Sequence, residues 1–128
     1  FRPHGREGQV TATGPDVDLS PRCALAMSLA LHELTTNAIK YGALSADGGR
    51  VAVNWTVTPG PDATAFVLTW TESGGPPVVQ PTRTGFGSGM IQRALSGYVG
   101  GATTLTYDPV GVVFTMTTTL EALTAEVK

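Results

Sequence analysis

The spacing of apolar residues changes along the chain from a period near 3.6 to a period of two, which predicts one long helix followed by strands. Between Pro21 and Tyr41, the residues Met27, Leu31, Leu34 and Ala38 fall roughly 100–160° round a helical wheel from Glu33, the width of a core-facing stripe. Ser20-Pro21 supplies the start, since serine caps free amides and proline suits a first turn, and Gly42 supplies a stop. Ahead of the helix, Gln9 to Thr13 alternates weakly and predicts an edge strand that ends in the Gly14-Pro15-Asp16 turn. After the Asp47-Gly48-Gly49 turn, Val51, Val53, Trp55 and Val57 alternate with Ala52, Asn54 and Thr56, a strand with one apolar face. The Pro59-Gly60-Pro61-Asp62 loop leads to a second strand, Ala65 to Glu72. Two more, Ala102 to Tyr107 and Val112 to Thr119, are joined by the hairpin turn Asp108-Pro109-Val110-Gly111, with Phe114 and Met116 toward the core. Glu121 to Lys128 reads as a short terminal helix or tail without a site.

Between the second and third of these strands lies a loop, Ser73 to Thr84, longer than most connectors in small domains and of the kind that forms lids. It runs into Gly85-Phe86-Gly87-Ser88-Gly89 and a helix with Met90, Ile91, Ala94, Leu95 and Tyr98 or Val99 as apolar positions. Alternate glycines let a backbone approach an anion, and a helix start offers unpaired amides to phosphate. The spacing matches neither the dinucleotide fingerprint nor a P-loop, and a flexible turn uses the same residues.

Two groups of polar residues carry candidate chemistry. With Glu33 as origin, Asn37 lies near 40° and Lys40 near −20°, so a carboxylate, a carboxamide and an amine project from one helix face. Such a set can supply a proton acceptor, a neutral oxygen ligand and a phosphate partner, the needs of a magnesium–nucleotide site. The same residue types also populate ordinary solvated faces. Glu72, by the period of two, continues the row Phe66, Leu68, Trp70, which sets a carboxylate at the end of a buried face where it needs a partner. There it can accept a hydrogen bond from an exocyclic amine, unless the strand has already ended and Glu72 points to water.

Composition narrows the class. A chain of 128 residues, 41% hydrophobic with net charge −2, suits one domain with its own core and has no long-range attraction for nucleic acid or anionic membrane. The single cysteine, Cys23, builds neither a disulfide framework nor a cysteine-rich metal site. Cys23 to Leu31, the most apolar stretch, is about half of a bilayer span. A reducing cytoplasm is expected, with no membrane contact from this segment. The opening Phe1-Arg2-Pro3-His4-Gly5-Arg6-Glu7 reads as an excerpt of a longer protein.

The order of elements from about Val10 to Leu120 resembles the ATP-binding domain of the histidine kinase, gyrase, heat-shock ATPase and MutL superfamily, and within it the HWE histidine kinases. The residues that give that family its name are His32 beside Glu33, then Trp70 and Glu72 in Trp70-Thr71-Glu72. Asn37-Ala38-Ile39-Lys40-Tyr41-Gly42-Ala43-Leu44, Gly74-Gly75-Pro76 and Gly85-Phe86-Gly87 match the accompanying motifs. The resemblance implies an α+β fold, a two-layer α/β sandwich of the Bergerat type whose mixed, mostly antiparallel sheet is backed by helices, with residues 1–128 as one ATP-binding catalytic domain. It implies ATP and Mg²⁺ as cofactors, with Asn37 as metal ligand and Glu33 near the metal and terminal phosphate. Lys40 and Tyr41 would line the phosphates and the base or ribose, although Lys40 also suits the helix dipole. Glu72 would read adenine, and Gly74, Gly75, Gly85, Phe86, Gly87, Ser88 and Gly89 would border the nucleotide. Arginine is frequent in the family where this chain has Gly89, so a phosphate contact from that position is absent. His32 falls in line with Leu25 and Ile39, away from Asn37, and is expected to pack; Trp70 is expected in the core and pocket wall.

The activity so implied is that of a two-component sensor histidine kinase. The γ-phosphoryl of Mg-ATP would pass to a histidine on an upstream helical dimerisation domain and then to an aspartate of a response regulator, in a homodimer that binds no nucleic acid. A protein serine kinase or ATPase of the same superfold, and a degenerate interaction module without nucleotide, are the alternatives.

Overall fold

Two ten-residue strands, β2 (Arg50–Pro59) and β3 (Thr64–Ser73), form the spine of the sheet, paired antiparallel from Arg50 opposite Ser73 to Pro59 opposite Thr64. The computed structural model describes residues 9–77 and 101–124. β1 (Val10–Thr13) adds parallel to β2, and β5 (Gly111–Thr119) and β4 (Ala102–Asp108) extend the other side antiparallel, in the order β1-β2-β3-β5-β4. The sheet is therefore mixed and mostly antiparallel, as expected.

Alternation decides which face is covered. Val51 and Val53 of β2, Phe66, Leu68, Trp70 and Glu72 of β3, and Phe114 and Met116 of β5 are buried on one side. The apolar residues among them share a cluster with Cys23, Ala26, Met27, Ala30, Leu34 and Ala38 of α1 (Pro21–Lys40). The helix thus lies on the sheet through one stripe, with Leu31 packed at its margin. Ser20 Oγ accepts from Cys23 N at 3.3 Å and Pro21 opens the first turn, which is the start the sequence implies. A five-residue helix, α2 (Leu120–Thr124), closes the described chain and buries Leu123 in the same cluster.

One expectation holds and one is corrected. α1 ends at Lys40 and Tyr41 caps it, so Gly42 stands just past the helix end as expected, with φ −116°, a value open to any residue. A side chain is excluded there because Glu72 Oε1 occupies the place a β-carbon would take. His32 does not pack: it is exposed, as are Leu25 at 61% and Ile39 at 38%. A helix laid on a single sheet buries one stripe, and His32 lies nearly opposite the centre of that stripe. The lid beyond Pro77, the Gly85-Phe86-Gly87-Ser88-Gly89 run and the helix after it lie outside the described residues.

Candidate functional site

The last two turns of α1 and the end of β3 converge on one short turn, residues 42–49. Glu33 and Asn37 are half-buried on α1 at the edge of its packed stripe, and Lys40 and Tyr41 are exposed where the helix ends. The spacing of three and four residues keeps Glu33, Asn37 and Lys40 on one side of the helix. Tyr41 caps it, its backbone N–H donating to Asn37 O at 2.8 Å.

The chain then tightens into a single 3-10 turn, Ala43–Ser45, with Ala43 and Leu44 buried. Ser45 Oγ donates to Gly42 O at 2.6 Å. Gln9, just before β1, holds the rest of the turn from outside: its Nε2 donates to Ala46 O at 3.0 Å and Gly49 O at 2.9 Å, with Asp47 O at 3.3 Å. Gln9 carries no chemical motif, and only the fold reveals this clamp.

Glu72 arrives from β3 directly beneath this turn. The strand does not end before it, and its side chain, 5% exposed, does not point to water. Its Oε1 accepts from Ala43 N at 3.0 Å and its Oε2 from Trp70 Nε1 at 3.0 Å. Trp70 is itself fully buried, so the expected core residue also holds the carboxylate. The two residues are neighbours on one strand face because they are two apart, a signal that was readable in Trp70-Thr71-Glu72. The Ala43 amide was not readable, because a backbone donor leaves no mark in the sequence.

Past Ser73 the chain crosses the same turn. Gly74 has φ +73°, a conformation that glycine adopts without strain. Gly75 lies against Ala43 with no room for a side chain. Six of the expected site residues, Asn37, Lys40, Tyr41, Glu72, Gly74 and Gly75, thus lie on or beside one turn, with Glu33 a helical turn behind Asn37. Gly85, Phe86, Gly87, Ser88 and Gly89 fall outside the described residues.

Chemically, the arrangement offers a buried acceptor flanked by apolar Val51 and Trp70, next to a polar helix face. Among the described residues no group of three or more His, Cys, Asp or Glu could hold a metal ion, and no helix is long and apolar enough to cross a membrane.

No family model matches the chain. It is 37% identical over 119 residues to a blue-light-activated histidine kinase of Brucella anthropi, an alignment covering 93% of this chain and 24% of that protein. The chain therefore spans about a quarter of that relative's length. Among solved structures, the histidine kinase domain of a blue-light-activated histidine kinase from Erythrobacter litoralis superposes with a TM-score of 0.70 at 18% identity, covering 90% of this chain and 54% of that one. The histidine kinase ThkA, solved in complex with response regulator protein TrrA, superposes with a TM-score of 0.59 at 18% identity, covering 88% of this chain and 34% of that one.

Proposed function

Because the chain belongs to the histidine kinases as a catalytic, ATP-binding domain, we propose that the convergence of α1, the 42–49 turn and β3 is its Mg-ATP site. In this reading the nucleotide's γ-phosphoryl group passes to a histidine on a separate helical domain and from there to a response regulator. The observation that carries it is Glu72: a carboxylate buried at the lip of an apolar face and held by two N–H donors has acceptor capacity left for a base amine. Burial of a charge at that cost is common at functional sites.

The residues of α1 suit the other end of the nucleotide. Magnesium prefers hard oxygen ligands, keeps several waters and is commonly bound through substrate phosphates with few protein ligands. Asn37, a single half-buried carboxamide with Glu33 one turn away, fits an ion that arrives with a triphosphate. When bound, the ion neutralises charge on the phosphates. Asn37 would hold the metal through its carboxamide oxygen, and Glu33 would stand near the metal and the terminal phosphate. Lys40, exposed on the last turn, meets phosphate charge, while Tyr41 and the Gly74-Gly75 crossing line the base or ribose. Catalysis by such residues is positioning and charge neutralisation rather than covalent chemistry.

Asn37→Ala tests the reading. Its affinity for Mg-ATP, measured by calorimetry, should fall by about tenfold or more, the scale of losing one bond to a charged partner. Its melting temperature should fall less than after truncation of a core residue such as Leu34. Unchanged Mg-ATP affinity, or a parent chain that binds no Mg-ATP, would overturn the site.

A further inference from the structure

Among the described residues, both groups that hold Glu72 can only donate. Trp70 Nε1 and Ala43 N each place one N–H on a different carboxylate oxygen, and neither an indole nor a backbone N–H can accept a hydrogen bond. We propose that Trp70 is a positioning residue for base recognition: its N–H, acting with the Ala43 amide, locks the Glu72 carboxylate as an acceptor on both sides, so that the site selects a purine bearing an amino group over one bearing a carbonyl. The inference rests on the nucleotide site proposed above.

The reasoning follows from lone pairs and burial. A carboxylate offers about four acceptor positions, and among the described residues two are taken. Whatever remains is also acceptor, so an exocyclic amine is matched and a carbonyl oxygen at the same place meets like polarity. A site built to receive an N–H rejects an analogue lacking it far more strongly than an apolar pocket rejects a change of size. Glutamate alone would not enforce this, because its side-chain torsions let the carboxylate turn aside. Here turning aside breaks a hydrogen bond to a buried residue, Trp70 at 0% or Ala43 at 3% exposure. The same geometry alters what Glu72→Gln does. An amide has the shape of the carboxylate, but whichever way it is placed its NH₂ faces either the indole N–H or the Ala43 N–H.

The test compares dissociation constants of the 128-residue chain for Mg-ATP and Mg-GTP in four forms: parent, Trp70→Phe, Glu72→Gln and the double variant. Trp70→Phe should weaken ATP by about tenfold and GTP by less than about twofold, which narrows the preference about tenfold. Glu72→Gln should lose less ATP affinity in the Trp70→Phe background than in the parent, because its NH₂ can face the side from which the indole N–H was removed. Such coupling is what a double-variant cycle measures. To separate the N–H from the ring, 3-benzothienylalanine placed at position 70 by codon suppression keeps the bicycle and deletes only the donor; it also serves if the phenylalanine variant does not fold. It should reproduce the narrowed preference. A preference unchanged by benzothienylalanine but abolished by Glu72→Gln would overturn the role of Trp70 and leave the nucleotide site standing. Failure of the parent to bind either nucleotide would overturn both.

Discussion

Gly42 shows how one position can serve two neighbours. Its backbone lets α1 turn into the buried 3-10 turn, and its missing side chain leaves the space that Glu72 Oε1 fills. Adding a methyl group there displaces the carboxylate from Ala43 N, which is buried and has no access to water. Gly42→Ala should therefore destabilise the chain by about 1–3 kcal/mol, the range for a buried polar group left unpaired. Urea unfolding would show this as a lower midpoint with an unchanged slope; an unchanged midpoint would mean that the carboxylate has another place to go. At this scale the sequence was half legible. Glycine after a helix reads as a stop on general grounds, yet the reason for it lies thirty residues away in Glu72.

At the scale of elements, α2 is too short to be stable by itself and depends on its attachments to the rest of the chain. Thr119 Oγ1 accepts from Ala122 N at 3.1 Å, Cys23 Sγ donates to Ala122 O at 3.5 Å, Leu123 is buried in the core, and Ser20 N donates to Leu123 O at 2.9 Å. A further link reaches the start of β3, where Thr64 N donates to Glu121 Oε1 at 2.9 Å. That backbone bond holds the Glu121 carboxyl below the usual carboxylate range. A carboxyl whose folded value is lowered stabilises the fold in full above its ordinary value, and the contribution is lost as pH falls through the folded value. Glu121→Gln keeps an acceptor for Thr64 but removes the titration. Between about pH 7 and about pH 3 its melting temperature should drop less than that of the parent. Equal drops would show that this carboxylate plays no part in acid sensitivity. The strands themselves were legible almost to their ends, because one buried face imposes strict alternation. The helix face carrying Leu25, His32 and Ile39 was not, since an apolar residue on a wheel does not reveal whether a second layer covers it.

For the whole molecule, the proposed division of labour sets the phosphoacceptor apart from the nucleotide. The chain has two histidines, His4 and His32. His32 is exposed on α1 about 140° round from Asn37, and a phosphoacceptor must stand in line with the γ-phosphoryl group at roughly 3–3.5 Å. Fixed on the same helix as the proposed metal ligand, it does not reach that position. The chain incubated with Mg-ATP labelled at the γ-position should bind nucleotide without acquiring an acid-labile phosphoryl group. Label on His4 or His32 would contradict the arrangement.

The sequence by itself determined the order of α1 and the five described strands and their bounds to within two residues, the apolar stripe of α1, the buried row of β3 and the grouping of Glu33, Asn37 and Lys40. Each of these follows from local periodicity, which the helix and strand repeat geometrically. Only the tertiary structure decided that Glu72 meets the Ala43 amide, that Gln9 clamps the 42–49 turn and that Gly42 yields its side-chain space. These contacts join residues 29 to 40 positions apart, two of them through backbone groups that every residue shares, so no residue type announces them. The pairing of Trp70 with Glu72 stands between the two cases: the period of two brings them to one face, but the direction of the indole N–H became apparent only once packing had buried both.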